Sequence, residues 1–213
     1  MKTLNDYVGV TLYPQEMALL SPRAVQKRKV DFYLGRAAAH CALKEINVCD
    51  FPVLKGINNE PLWPQGVVGA ISHCGEIALA TVTHREIAAG VGIDIEIIAP
   101  KILEDIAPQV CTIREFAWVN KRNGEKTERL LMIFSAKESI FKAFFPITNV
   151  FLDFLDAELT WNEDTGSFSG KLLKSIGKDY DKGYTFEVGC RTIGKYIFTF
   201  MTLPPLGINN NLD

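Results

Sequence analysis

Val91-Gly92-Ile93-Asp94-Ile95-Glu96-Ile97-Ile98 alternates apolar residues with glycine and two acids, the period-two signature of a β-strand. Side chains on a strand alternate between its faces, so Asp94 and Glu96 project to the same side. Two neighbouring carboxylates repel each other, and a cation between them relieves the repulsion. All-oxygen ligation favours a hard ion such as Mg²⁺ or Mn²⁺. A second segment, Phe134-Ser135-Ala136-Lys137-Glu138-Ser139-Ile140-Phe141-Lys142-Ala143, reads as helix. Its Glu138 and Lys142 stand four residues apart and share one face. A third carboxylate and a lysine are what a metal site handling a pyrophosphate requires.

The rest of the chain narrows the classes open to it. With 213 residues, 47% of them hydrophobic, it can bury a full core as one domain or two small lobes. A net charge of −2 gives no overall basic field, which argues against nucleic acid as a partner and makes any anion site local. Cys41, Cys49, Cys74, Cys111 and Cys190 are widely spaced without a CxxC pair, as expected of reduced thiols rather than a zinc site. No signal-peptide pattern opens the chain, and no apolar run reaches the ~20 residues of a membrane span, so a cytoplasmic protein is expected.

Around the carboxylate strand, Ser21-Pro22 reads as the start of a helix running to about Leu43, with Lys29, Tyr33, Arg36 and His40 along one face. Residues 55–66 read as loop. Strands are expected at 67–70 and 77–83, interrupted by Ser72-His73-Cys74-Gly75. Further helices are expected at 102–119 and 129–145, the latter stopped by Pro146. Strands follow near 157–161, 183–189 and 196–203. Gly75-Glu76-Ile77 and Gly194-Lys195-Tyr196 sit in similar contexts, a faint internal echo. The expected class is α+β: two similar lobes, 1–99 and 100–213, each a helix with antiparallel strands, meeting at an active-site cleft. A linker is placed at 99–103 and a frayed tail at 204–213.

The ordered set Arg28-Lys29, Gly35-Arg36, Lys55-Gly56, Pro61-Leu62-Trp63-Pro64, Gly69-Ala70-Ile71-Ser72-His73, Gly92-Ile93-Asp94-Ile95-Glu96, Phe134-Ser135-Ala136-Lys137-Glu138-Ser139 and Lys142-Ala143 resembles the 4'-phosphopantetheinyl transferase superfamily. Within it, the similarity is to the monomeric, two-lobed group of the enterobactin synthetase component D type. The resemblance spans roughly residues 20–146. It implies Mg²⁺-dependent transfer of the phosphopantetheine arm of coenzyme A to a serine of an apo carrier protein, releasing adenosine 3',5'-bisphosphate. It further implies metal ligands Asp94, Glu96 and Glu138, and a coenzyme-binding set of Arg28, Arg36, Lys55, Gly56, Ser72, His73, Asp94 and Lys142. Glu138 and Lys142 are the implied catalytic residues, and the second lobe is the implied docking side for the carrier.

Phosphoryl transfer is catalysed mainly by positioning and by neutralising charge on the leaving group, which suits these residue types. The acceptor of the serine proton is open among Glu138, a metal-activated water and Glu115. Peptidyl or aryl carriers of siderophore synthesis are the expected partners, with fatty-acid and polyketide carriers as alternatives. A silent coenzyme A-binding module and a metal-dependent phosphatase or nuclease are the competing classes. Read singly, Glu138 with Lys142 is a surface ion pair, His73 is a structural histidine, and Trp63 either covers the nucleotide or closes a loop. His40 and Glu60 depart from the pattern.

Overall fold

A computed structural model of the chain describes residues 11–98, 104–121 and 124–205. A single helical turn, α1 (Pro14–Met17), precedes the long helix α2 (Gln26–Glu45). Helix α2 is entered from Val25, not from Ser21 as the Ser-Pro signal suggested. Ser21 is already engaged in a turn of its own: Ala24 N–H donates to its carbonyl at 2.9 Å and Arg23 N–H to its hydroxyl at 3.2 Å. A hydroxyl committed locally cannot cap a helix further on.

Short strands β1 (Leu54–Lys55) and β2 (Pro61–Leu62) pair across the 56–60 turn. Strands β3 (Val67–Cys74) and β4 (Ile77–His84) form an antiparallel hairpin whose ladder continues to Cys74 opposite Ile77. The expected interruption at 72–75 is therefore absent, and Ser72 and His73 are strand residues facing opposite ways. The hairpin reverses at Gly75-Glu76, with Gly75 at φ +61°. The hairpin of β8 (Thr185–Ile193) and β9 (Tyr196–Leu203) reverses at Gly194-Lys195, with Gly194 at φ +59°. The internal echo thus coincides with one turn geometry, in which glycine carries a positive φ at no steric cost.

The carboxylate strand β5 (Gly90–Ile97) does not join the first hairpin's ladder. It pairs antiparallel with β9, at the edge of a five-stranded sheet ordered β5-β9-β8-β7-β6. The lobe boundary expected at 99/100 therefore has β5 hydrogen-bonded across it, and the linker at 99–103 lies outside the described residues. Strands β6 (Ala157–Asn162) and β7 (Ser167–Leu172) complete the sheet. Strand β7 escaped the sequence reading because Ser-Phe-Ser-Gly-Lys-Leu is poor in β-branched residues.

The helix expected at 102–119 is broken into a 3₁₀ turn (Glu104–Ile106), α3 (Ala107–Val110) and α4 (Ile113–Val119). The break lies where Thr112 caps α4: Glu115 N–H donates to Thr112 Oγ1 at 3.4 Å, and Thr112 N–H to the Glu115 carboxylate at 2.6 Å. Helix α5 (Lys126–Thr148) runs through Pro146. Proline there removes only one bond in the final turn, and the helix closes at Asn149, φ 52°, whose N–H donates to the Phe145 carbonyl at 2.9 Å.

The main core lies between α5 and the five-stranded sheet, centred on Phe144, Phe168, Ile140, Val188 and Ile197. A smaller core of Ala39, Leu43, Val53 and Val67 joins α2 to the first hairpin. Among the described residues, no helix is long and apolar enough to cross a membrane.

Candidate active site between strand β5 and helix α5

Two glycines bring the site together. Gly90 and Gly92 share the strand face that carries Asp94 and Glu96, and α5 crosses this face at backbone distance. A Cβ on Gly92 would overlap the Ser139 carbonyl oxygen, and one on Gly90 the Ala143 carbonyl oxygen. Ser135 and Ser139 pack beside them against Thr199 of β9, with hydroxyl contacts of 2.9 and 2.7 Å. This close passage sets Glu138 and Lys142 over the acidic end of the strand. The period-two glycines were a readable signal that the sequence analysis did not use.

Asp94 is 3% exposed, and its two carboxylate oxygens have different roles. Oδ1 accepts from Ser72 Oγ and from Lys142 Nζ, both at 2.7 Å. Oδ2 is buried with no partner. Ser72 also accepts from Ile95 N–H at 3.3 Å, so its hydroxyl fixes Asp94 and β5 rather than reaching into the cleft. Burial, then Asp94, and to a smaller degree Glu138 push the Glu96 carboxyl up to about 7, against the pull of Lys142. Burial likewise raises Glu138, with Asp94 adding to it and Lys142 opposing. A buried acceptor without a donor, beside two carboxyls held reluctant to ionise, fits a hard divalent cation. Among the described residues, no three His, Cys, Asp or Glu side chains are arranged as a ready-made metal cage. The fit rests on Asp94 Oδ2 and the mutual repulsion of the three acids.

The sign of the Glu96 shift gives a stability prediction. Its carboxyl titrates higher in the folded protein than the ordinary value of 4.5, so its ionised form disfavours the fold. That penalty is absent below about pH 4.5, grows through the interval to about 7, and is complete above it. Mg²⁺ is expected to raise the melting temperature more at pH 8 than at pH 5.5. Equal shifts at both pH values in thermal melts would remove Glu96 from the cation site.

The cationic side of the site comes from the first half of the chain. Arg36 is 6% exposed; its Nη2 donates to the Leu54 carbonyl at 3.4 Å, and its guanidinium lies 4.7 Å from the Phe32 ring centre. Its Nε is buried without a partner. Lys55 Nζ approaches the same ring at 5.4 Å. Burial lowers the Arg36 and Lys55 pKa values, and Arg28 lowers both further. His73, half-buried on β3, is lowered first by burial and then by Lys27, Lys142 and Arg28, while Asp31 at 3.9 Å opposes. His73 links the Arg28 neighbourhood to Lys142. The cations Arg28, Arg36, Lys55 and Lys142, with the neutral donor His73 among them, lead to a carboxylate cluster and form the electrostatic complement of a phosphate chain with its metal. Of the three buried side-chain polar atoms without a partner among the described residues, Arg36 Nε and Asp94 Oδ2 are two.

Other residues have structural employment. Gly56 N–H donates to the Glu60 carbonyl at 2.8 Å, closing the turn beside Lys55. Trp63 closes its loop, with Nε1 donating to the Gly69 carbonyl at 2.9 Å. Glu115, 1% exposed, accepts from Lys137 Nζ at 2.7 Å and from the N–H groups of Thr112 and Leu159, which removes it as a proton acceptor. Lys137 also donates to the Val110 and Phe154 carbonyls at 2.8 and 2.7 Å, tying three elements together. His40 turns from the cleft to meet Glu16 at 2.8 Å.

Two cavities flank Lys142 and Glu138. One, of about 210 Å³, lies between the first hairpin and α5 and is lined by Asn59, Gly69, Ile71, Phe141 and Lys142. The other, of about 160 Å³, is lined by Glu138, Phe141, Phe151, Leu152 and Phe154.

Known proteins are similar to this chain in sequence. Residues 15–83 match a family model described as the 4'-phosphopantetheinyl transferase N-terminal domain. The chain is 39% identical to the 4'-phosphopantetheinyl transferase Svp of Streptomyces mobaraensis, over 76% of this chain and 66% of that one. It is 33% identical to the 4'-phosphopantetheinyl transferase PptT of Mycobacterium tuberculosis, over 81% and 75%, and 37% identical to enterobactin synthase component D of Escherichia coli, over 66% of each. A crystal structure of the holo-[acyl-carrier-protein] synthase of Thermotoga maritima is similar over 55% of this chain and 64% of that one, at 22% identity and a TM-score of 0.45. A second family model, over residues 90–199, takes in the carboxylate strand, the helix that crosses it and most of the sheet; the chain therefore belongs to the 4'-phosphopantetheinyl transferase superfamily and is an enzyme of the transferase class.

Proposed function

We propose that this chain transfers the 4'-phosphopantetheine group of coenzyme A to a serine hydroxyl of an apo carrier protein, with Mg²⁺, or Mn²⁺ in its place, as its metal. The observation that carries this reading is the row of basic side chains from Arg36 and Lys55 past the neutral imidazole of His73 to Lys142, ending on Asp94, Glu96 and Glu138. Asp94 Oδ2, Glu96 and Glu138 would hold the metal, which when bound neutralises pyrophosphate charge and so eases departure of the leaving group. Arg28, Arg36 and Lys55 grip the ribose 3'-phosphate, Arg36 offering its free Nε–H. Lys142 and His73 lie where charge accumulates on the departing bisphosphate.

The serine oxygen forms a bond to the phosphorus that bears pantetheine, and the bond from that phosphorus to the bridging oxygen breaks. The serine proton leaves to an acceptor, and adenosine 3',5'-bisphosphate carries away the bridging electrons. Glu138, its carboxyl raised by burial, is the base on the chain itself. The cavity beside Glu138 accepts the largely uncharged pantetheine arm against Phe141 and Phe151. Phe151 and Leu155, 71% and 45% exposed, offer the second-lobe landing for an apolar face of the carrier. The expected carriers are the peptidyl or aryl domains of siderophore synthesis, and a monomer suffices for the whole site.

Intact-mass measurement of apo carrier domains incubated with the protein, coenzyme A and Mg²⁺ tests this reading. The expected result is addition of one phosphopantetheine per carrier, fastest on a siderophore-type domain. Phe151→Asp is expected to raise the KM for the carrier several-fold. Release of free phosphate or bisphosphate without any mass gain on a panel of carriers would instead indicate a hydrolase.

A further inference from the structure

Glu16 is a carboxylate that the chemistry above does not use, yet it is 0% exposed. Taking a carboxylate wholly out of water is costly unless donors surround it, and here three converge. Oε2 accepts from Tyr13 N–H at 3.0 Å. Oε1 accepts from Val53 N–H at 2.8 Å and lies 2.8 Å from His40 Nε2. A carboxylate only accepts, so His40 Nε2 is the protonated nitrogen. The Tyr13 ring meets His40 edge-on, with centres 5.2 Å apart, and fixes its plane.

The two elements gripped by Oε1 are the two that carry the buried Arg36 and the half-buried Lys55. His40 lies one helical turn beyond Arg36 on α2, on the same face. Val53 stands two residues before Lys55, with Leu54 between them, whose carbonyl accepts from Arg36 Nη2. One carboxylate oxygen therefore references helix α2 and the 53–55 segment to a common point. Glu16 also opposes the lowering of the Arg36 pKa by burial and by Arg28. We infer that Glu16, through His40 and the Val53 amide, is a positioning residue for the 3'-phosphate-binding pair Arg36 and Lys55. This rests on the coenzyme A reading above. A glutamine in its place offers one acceptor and one donor where three N–H groups converge, so at least one bond is lost whichever way the amide turns.

The full chain is tested by measuring kcat and KM for coenzyme A and for dephospho-coenzyme A, which lacks the 3'-phosphate. Glu16→Gln is expected to raise the KM for coenzyme A roughly tenfold, with kcat within about twofold, and to leave the KM for dephospho-coenzyme A nearly unchanged. His40→Leu, which keeps both amide bonds to Glu16, is the milder variant should Glu16→Gln not fold, with the same direction expected. Adding Arg36→Ala to either variant is expected to lower the discrimination between the two coenzymes by less than the product of the two separate effects. Lower melting temperatures with the coenzyme KM ratio unchanged in both variants, while Arg36→Ala alone collapses that ratio, would overturn the positioning role and leave the coenzyme A site standing. A ratio unmoved by Arg36→Ala itself would overturn both.

Discussion

Asp94→Ala is expected to lower turnover by about 10³-fold or more while leaving the folded protein intact. Asp94 Oδ2 is the buried acceptor without a donor, and Oδ1 anchors Lys142 and Ser72, so one substitution removes both the proposed metal ligand and the anchor of Lys142. Its effect on stability is small by comparison, since two opposing changes accompany it. The Lys142 ammonium loses its partner but stays in contact with water at 23% exposure, and Glu96 and Glu138 are relieved of the nearest negative charge. Asp94→Asn, which preserves shape, is expected to be nearly as inactive. Circular dichroism and thermal melting report the fold, and single-turnover transfer at limiting Mg²⁺ reports the chemistry. Activity within a few-fold of wild type under those conditions would exclude Asp94 as a ligand.

Gly92→Ala is expected to be the most damaging glycine-to-alanine change among the described residues. The added Cβ meets main-chain atoms of α5 at Ser139, which cannot rotate away as a side chain could. Strand and helix must separate, at a cost at the upper end of the ~1–3 kcal/mol typical of overpacking. For a chain of this size that lowers the melting temperature by roughly 6–12 °C. The same separation draws Glu138 and Lys142 away from Asp94 and Glu96, and a displacement near 1 Å costs ~10²-fold in rate. The measurement pairs thermal denaturation with transfer kinetics below the melting transition. Normal stability and activity in this variant would show that the helix does not need its close approach to β5.

The two predictions differ in what makes them visible. Asp94 was legible from local pattern: an acid repeating with period two beside a second acid, on a segment too apolar to be loop. Glu138 and Lys142 were legible in the same way, from helical spacing. The role of Ser72 was not, because its partner lies 22 positions along the chain, and nothing in Ser72-His73 distinguishes a hydroxyl aimed at a ligand from one aimed at Asp94. The Glu115–Lys137 pair and the Glu16–His40 pair were invisible for the same reason. Each joins elements distant in sequence, and each side chain taken alone resembles a solvated surface charge.

Helix boundaries failed where local bonds competed with the pattern, at Ser21 and at Thr112, and where proline fell late enough in a helix to be tolerated, at Pro146. The sequence by itself determined the α+β class, the carboxylate strand, the helix facing it, and a family order of motifs specific enough to name the chemistry. Only the tertiary structure decided that β5 pairs with β9 rather than with the first hairpin, that α5 rests on Gly90 and Gly92, and that Asp94 has one anchored oxygen and one buried without a partner. The physical reason is that periodicity records which face of an element is apolar. The choice of partner depends on non-local packing and hydrogen bonding, and these exist only once the chain has closed.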